Sequence, residues 1–285
     1  MRSETEMMNL ILSVARQDER IRVVAMNGSR VNASAPVDSF QDFDIVFLVR
    51  EIDSFLKNDQ WLDVFGPRMI MQKPEAMHLF PPSLGGWFTY LMLFQDENRI
   101  DLMLIPVEDL DRYLKNDTLT RILLDKDNLV PQIPPPDDKM WHVAQPSEAF
   151  FQDSCNEFWW LVPYVVKGVC RREFLYAADH LQLLRNEVFR MLSWQVGFET
   201  DFAVSVGKNG KYLEKYIPSA VWNNFISTYQ AASYDSQTKA LKTLMRLFDQ
   251  TAKEVARFLK TSYPQSAADQ IAAYVERHLS VISFS

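Results

Sequence analysis

"NGSR" at residues 27–30 and "QDFDIVFLV" at residues 41–49 are the stretches that decide the fold of this 285-residue chain. Five apolar residues in succession, Ile45 to Val49, predict a strand that is buried on both faces. Successive strand residues point to opposite faces, so Asp42 and Asp44 project from the same side of this strand. Two carboxylates therefore lead together into the core of a sheet.

The pair Asp42 and Asp44 favours a metal site. Two neighbouring anions repel each other, and burial raises the pKa of at least one of them unless a cation neutralises the pair. Carboxylate oxygens are the preferred ligands of hard divalent ions. The alternative is a solvated turn, which is the commoner setting for an isolated Asp-x-Asp, but a buried strand directly after Asp44 argues against it.

The Gly28-Ser29 turn precedes the carboxylate pair by 12 intervening residues, 30–41. An apolar strand is predicted at residues 21–26, so the turn lies where that strand ends. Backbone amides and a hydroxyl at such a turn suit phosphate oxygens. Glycine and serine also occur in ordinary turns and caps. The combination of a phosphate-type turn with a metal-type pair indicates nucleotide chemistry.

A third carboxylate, Asp101, lies in a predicted hairpin. Residues 90–94 and 99–105 read as strands joined by the turn 95–98. Asp101 has apolar neighbours on both sides, which predicts that it joins Asp42 and Asp44. The alternative is a simple ion pair with Arg99, two residues away on the same strand face.

This arrangement resembles the nucleotidyltransferase fold shared with DNA polymerase β, in which three carboxylates hold two magnesium ions against a nucleoside triphosphate. Within that superfamily, the chain is similar to the aminoglycoside 6-adenylyltransferases, which inactivate streptomycin. The segments that carry the similarity are NGSRVN, QDFDIVFLV, RIDLMLIP, REFLYAADHL and VGKNGKYLEKYI. The resemblance implies ATP as co-substrate, Mg2+ as cofactor and a cationic small molecule as acceptor.

Site roles follow from the motifs and the resemblance together. We expect the catalytic and metal-binding residues to be Asp42, Asp44 and Asp101, and the nucleotide-binding residues to be Gly28, Ser29, Arg30, Lys208 and Lys211. The resemblance implies that Asp179 and Glu173 bind the substrate. An exposed turn is the alternative for the two lysines, and a solvated helix face is the alternative for Asp179 beside His180.

The predicted fold class is α+β. Residues 1–130 are expected to form a nucleotidyltransferase domain with a mixed sheet and flanking helices, residues 131–146 a proline-rich linker, and residues 147–285 a helical substrate-binding domain. Ser3 and Glu6 form the pattern of a capping box at the first helix. Further strands are predicted at 44–49 and 68–72, and helices at 54–65, 107–113, 147–166 (kinked or interrupted at Pro163), 172–194, 220–229, 236–261 and 266–279.

Composition agrees with a cytoplasmic enzyme. The net charge of −7 disfavours a nucleic-acid partner and suits a polycationic substrate. No apolar run reaches the length that crosses a bilayer, and the N-terminus lacks the pattern of a signal peptide. Cys155 and Cys170 fit neither a metal site nor a disulfide framework. The oligomeric state is left open.

The expected reaction is Mg2+-dependent transfer of AMP from ATP to the 6-hydroxyl of streptomycin, with release of pyrophosphate and resistance to the antibiotic as its consequence. One alternative keeps this chemistry with another acceptor, which is a different aminoglycoside, a small metabolite, a protein side chain or an RNA end. A second alternative is a catalytically idle nucleotide-binding module. The presence of all three carboxylates weighs against the second, because a binding module has no need of their mutual repulsion.

Overall fold

The computed structural model describes residues 1–280 and divides into two compact units, one formed by residues 1–140 and one that begins at Trp141. The chain passes from the first unit to the second within the stretch predicted as a linker. Within the first unit, the Asp137 N–H donates to the Thr118 carbonyl at 3.2 Å. Within the second unit, the Val143 N–H donates to the Val204 carbonyl at 3.0 Å.

The first unit is built on a six-stranded mixed sheet in the order β3-β4-β5-β2-β1-β6. Its strands are β1 (Ile21–Asn27), β2 (Phe43–Val49), β3 (Arg68–Gln72), β4 (Phe88–Phe94), β5 (Arg99–Pro106) and β6 (Thr120–Asp125). Strands β2 and β5 run parallel, and the other neighbouring pairs are antiparallel. The five predicted strands and the hairpin of β4 and β5 are confirmed.

Strand β6 was not predicted from the sequence. It pairs with β1 at one edge of the sheet, and only Thr120 of its six residues is fully buried. An edge strand with partly exposed side chains shows neither a continuous apolar run nor a clean alternation. Residues 120–125 adopt a strand because they pair with β1, and the local sequence pattern does not indicate this pairing.

Three helices belong to the first unit: α1 (Glu4–Gln17), α2 (Asp53–Leu56) and α3 (Leu110–Leu114). The predicted capping box is present, with Ser3 and Glu6 bonded reciprocally at the start of α1. The single helix predicted over 54–65 is wrong. A turn separates α2 from a 3₁₀ segment at Gln60–Phe65, because the Asn58 side chain accepts a bond from the Gln60 N–H. The helix predicted over 107–113 is a 3₁₀ turn followed by α3.

The two faces of the sheet bury different clusters. One face packs Phe43, Ile45 and Phe47 against Met7 and Ile11 of α1. The other face packs a smaller cluster, which contains Val46, Leu48, Ile105, Trp87 and Tyr113. Strand alternation places Asp42 and Asp44 on the face of Val46 and Leu48, and Asp101 on the face of Ile105. All three carboxylates therefore project from the same side of the sheet.

The second unit is helical, as predicted, and its helices pack around a core of aliphatic and aromatic side chains. These are α4 (Glu148–Arg171), α5 (Phe174–Glu199), α6 (Ser219–Ser227), α7 (Tyr234–Leu259) and α8 (Gln265–Leu279). Ser147 caps α4 by accepting from the Phe150 N–H, and Phe158 stacks on Phe248 with ring centroids 3.8 Å apart. The α+β fold class is confirmed.

Of the two effects predicted for Pro163, a kink or an interruption of α4, the interruption is wrong. The helix continues through this residue to Arg171. Proline removes one main-chain hydrogen bond, at a cost of about 3 kcal/mol in a helix interior. Complete burial of Phe158, Val162 and Val166 offsets this cost.

Within residues 1–280, no helix combines the length and apolar character needed to cross a bilayer.

Candidate active site

The parallel pairing of β2 and β5 brings the three predicted carboxylates together. Asp44 is the register partner of Asp101, and Phe43 that of Ile100. Neighbouring strands lie about 4.8 Å apart, so Asp44 and Asp101 stand side by side on one face. Asp42 precedes Asp44 by two residues and projects from that same face.

The electrostatics of this cluster are those of crowded anions. Burial raises the pKa of Asp44 to about 6, and the charges of Asp101 and Asp42 add to the effect. Burial also raises the pKa of Asp42, where the charge of Asp101 adds to the rise and the guanidinium of Arg99 opposes it. Nearby cations therefore compensate these carboxylates only in part, as expected for a site that receives a further cation.

The turn at Gly28 lies directly against Asp44. Gly28 has a φ of +72°, and a Cβ atom built there would lie 2.2 Å from Asp44 Oδ2. Both the backbone conformation and the close approach require glycine. Residues Gly28–Val31 form a 3₁₀ turn, and the Ser29 carbonyl accepts a bond from the Gln41 side chain at 3.3 Å. The structure thus brings the predicted phosphate-type turn and the carboxylates into contact.

Arg30 supports the segment that leads into β2. Its Nε donates to the Asp42 carbonyl at 3.0 Å and its Nη2 donates to the Gln41 carbonyl at 2.8 Å. The guanidinium also stacks over Phe43 and pairs with Glu4 of α1 at 3.2 Å. In this arrangement Arg30 holds the backbone of Asp42 in place, and its predicted role as a phosphate ligand stays a prediction.

Arg99 forms an ion pair with Asp101, which is the alternative that the sequence analysis gave for this carboxylate. Its Nε lies 2.7 Å from Asp101 Oδ1, and its Nη2 lies 2.8 Å from Asp101 Oδ2. Its Nε also lies 3.7 Å from Asp42 Oδ2. The ion pair and the carboxylate cluster are therefore both present, because one guanidinium lies between two of the three carboxylates.

Magnesium fits the donor chemistry of this cluster, since three carboxylates offer hard oxygen ligands with excess negative charge. In the arrangement described for residues 1–280, no three Asp, Glu, His or Cys side chains form a ready metal cage. In this arrangement both oxygens of Asp101 accept bonds from Arg99.

Two polar residues beside the turn were not predicted from the sequence. The Asn27 side chain donates to the Leu119 carbonyl and to Thr120 Oγ1, and accepts a bond from the Tyr113 hydroxyl at 2.7 Å. Asp117 lies near enough to Asp44 to help raise the pKa of that group. Asn27 stands inside the NGSR string and could have been noticed. Asp117 lies in an ordinary turn and has no sequence signal.

The remaining predicted residues belong to the second unit. Glu173 directly precedes α5 and Asp179 lies in its second turn, and both are exposed. Lys208 and Lys211 are exposed beside a 3₁₀ turn. His180 bonds to the Tyr176 carbonyl at 2.8 Å, which agrees with local bonding on the helix.

A mixed sheet that presents three aspartates on one face, next to a Gly-Ser turn, is the architecture of a nucleotidyltransferase. The model of a family described as "Streptomycin adenylyltransferase" matches residues 1–278. The aminoglycoside 6-adenylyltransferase of Campylobacter jejuni is 46% identical over 265 residues, 93% of this chain and 92% of the relative. That of Bacillus subtilis (strain 168) is 44% identical over 266 residues, 93% of this chain and 94% of the relative.

These matches identify the family of the chain. The protein belongs to the streptomycin adenylyltransferase family and is an enzyme of the nucleotidyltransferase class. A crystal structure of an aminoglycoside 6-adenyltransferase from Bacillus subtilis aligns with 97% of this chain and 98% of its own at 40% identity and a TM-score of 0.48. The family assignment rests on the sequence matches.

Proposed function

We propose that this enzyme transfers AMP from ATP to a hydroxyl of an aminoglycoside, with the 6-hydroxyl of streptomycin as acceptor and pyrophosphate as leaving group. The observation that carries the proposal is the group Asp42, Asp44 and Asp101 on one sheet face, in contact with the Gly28 turn. Relatives that carry the name aminoglycoside 6-adenylyltransferase support the acceptor class.

The residues of the turn bind the nucleotide in this proposal. The main-chain N–H groups of Gly28 and Ser29 and the Ser29 hydroxyl donate to the outer phosphates of ATP. Arg30 keeps the start of β2 in register through its bonds to the Gln41 and Asp42 carbonyls. Lys208 and Lys211 are proposed to donate to the same triphosphate.

Asp42, Asp44 and Asp101 would hold Mg2+, which neutralises the triphosphate and lowers the pKa of the attacking hydroxyl when it is bound. Asp101 accepts the proton of the acceptor hydroxyl. The hydroxyl oxygen then forms a bond to the α-phosphorus as the bond from that phosphorus to the bridging oxygen of pyrophosphate breaks. Positioning and charge neutralisation account for most of the lowering of the barrier.

The acceptor is proposed to bind through acidic residues of the second unit. Asp179 and Glu173 are exposed at the beginning of α5, where their carboxylates are accessible to ammonium or guanidinium groups. The overall charge of −7 favours the approach of a polycation over that of an RNA end.

The test is incubation of the protein with [α-32P]ATP, Mg2+ and a panel that contains streptomycin, other aminoglycosides and no acceptor. We expect labelled streptomycin and pyrophosphate, and the label should be on the 6-hydroxyl by NMR of the product. Label on another aminoglycoside would change the acceptor. Absence of transfer with every acceptor, while ATP still binds, would favour an idle nucleotide-binding module.

A further inference from the structure

The two-residue spacing of Arg99 and Asp101 on β5 places a cation inside the carboxylate cluster. Both side chains project from the same sheet face, and the guanidinium covers both oxygens of Asp101 at 2.7 and 2.8 Å. Arg99 Nε also lies 3.7 Å from Oδ2 of Asp42, which directly precedes β2. Among the described residues, Arg99 is the side chain that forms ion pairs with two members of the cluster.

The neighbouring cation, Arg30, does not duplicate this role. Its N–H groups bond to two backbone carbonyls, and its ion pair is with Glu4. Arg99, in contrast, bonds only to carboxylates within the described part of the chain, and 43% of its side chain is exposed. A long, exposed arginine side chain can leave a carboxylate without disturbing the core.

We propose that Arg99 is an internal counter-ion that competes with the divalent ion for Asp101, and that it moves to the triphosphate when the metal and ATP bind. This inference rests on the proposed function, because it needs Asp101 to be a metal ligand. Two carboxylate oxygens that accept a bidentate guanidinium have their best-directed lone pairs in use. Metal binding through these same lone pairs of Asp101 therefore requires that Arg99 withdraw, and a polyphosphate offers the same bidentate geometry to the released guanidinium.

The exchange has a functional consequence. Before the substrate binds, Arg99 reduces the repulsion among the carboxylates and holds Asp101 in the direction of the site. After the exchange, the same positive charge lies on the nucleotide. Arg99 is thus a positioning residue whose removal has opposite effects on the two ligands: it strengthens the binding of the free metal ion and weakens the binding of ATP.

The experiment measures Mn2+ binding to the full chain by electron paramagnetic resonance of the free ion, without nucleotide and without turnover. Compared with wild type, Arg99→Gln should bind Mn2+ about fivefold more tightly, since a partly exposed ion pair that competes with the metal is removed. Arg99→Lys should be intermediate, because an ammonium cannot hold both oxygens. Binding of ATP, followed by calorimetry with Mn2+ present, should weaken about fivefold in Arg99→Gln.

Arg50→Gln is the matched control, since it removes the same charge from an exposed ion pair with Asp127 in the same unit. It should leave both affinities unchanged. Equal Mn2+ affinity in wild type and Arg99→Gln, or weaker affinity in Arg99→Gln, would overturn the inference while leaving the metal site intact. A wild-type protein that binds no Mn2+ in the presence or absence of ATP would instead overturn the proposed function.

Discussion

Two regions of the first unit hold their carboxylates in opposite ways. Asp96, in the turn between β4 and β5, accepts bonds from the Arg2 side chain and backbone and from Asn98, and its pKa is held far below the usual range. At the cluster, the Arg99 guanidinium bonds to both oxygens of Asp101 and lies 3.7 Å from Asp42, and the pKa values of Asp42 and Asp44 are raised.

The difference distinguishes a structural ion pair at Asp96 from a candidate binding site at the cluster. At Asp96, the partners are complete, so the charge stabilises the fold. At the cluster, the partners are incomplete, so the charges reduce stability until a ligand supplies a further cation. Substitutions that remove the same charge from the two regions should therefore change the free energy of unfolding in opposite directions.

The largest expected effect is on activity. Asp44→Asn removes an oxygen ligand and a charge from the centre of the cluster, so kcat/KM for adenylyl transfer should fall at least about 100-fold, or roughly 2.7 kcal/mol in barrier. Steady-state assays with [α-32P]ATP and streptomycin measure this change. Asp96→Asn should keep the rate within about twofold of wild type, because Asp96 lies outside the site. A loss of less than about tenfold in Asp44→Asn would contradict catalysis by this pair.

The next prediction concerns stability without divalent ions. The pKa of Asp44 is raised to about 6 in the folded protein from an ordinary value of 3.8, so the folded state binds the proton more tightly than the unfolded state. The free energy of unfolding should therefore fall as pH rises from about 4 to about 6, and then level off. Asp44→Asn should lose most of this decline and be about 3 kcal/mol more stable than wild type at pH 7.5 in EDTA.

Asp96 supplies the comparison of opposite sign. Its pKa is lowered in the folded protein, so its contribution to stability is present above its unfolded pKa of about 4 and is lost as pH falls below it. Asp96→Asn should therefore be less stable than wild type at pH 7.5. Urea unfolding of the three proteins at several pH values measures both trends. Destabilisation of Asp44→Asn in EDTA would show that the cluster is a structural network and would remove the contrast.

A smaller effect is expected at the turn that contacts Asp44. Gly28→Ala places a methyl group 2.2 Å from Asp44 Oδ2, on a residue whose φ is +72°. The carboxylate must move, so kcat should fall about tenfold, or about 1.4 kcal/mol, even where the variant remains folded by circular dichroism.

Gly86→Ala is the control for this substitution. Gly86 also has a positive φ, +96°, but among the described residues no heavy atom beyond its chain neighbours lies within 4 Å of the position that a methyl group would take there. Its replacement tests the cost of the backbone conformation alone, and kcat should stay close to wild type. Equal losses of kcat at the two positions would show that backbone strain, and not the contact with Asp44, is responsible.

The same comparison explains what the sequence could predict. Buried strands such as β2 carry continuous apolar runs, and the Ser3 and Glu6 capping box is local, so both were predicted correctly. The prediction that Asp44 and Asp101 lie close together needed only the expectation that β2 and β5 belong to one sheet. Strand β6 was missed because its order depends on pairing with β1, which no local pattern records.

The balance of charges around the three carboxylates could not be predicted from the sequence. Arg99 was visible as a neighbour of Asp101, but its approach to Asp42 depends on the parallel register of β2 and β5. Asp117 affects Asp44 across a separation of 73 positions in the sequence, which only the folded chain makes short. The residues of the second unit have no comparable geometric signal, since Asp179 and Glu173 are exposed side chains on a helical scaffold.

The smallest expected effect lies in that second unit. An exposed carboxylate gains little from a single ion pair in water, so Asp179→Asn should raise the KM for streptomycin only about threefold and leave the KM for ATP unchanged. Asp269→Asn on α8 removes the same charge from another exposed helix position and is the matched control. Assays at low and high salt sharpen the test, because screening should reduce the effect of Asp179→Asn. Equal changes in the two variants would assign the effect to overall surface charge, and Asp179 would then be a solvated residue on the face of α5.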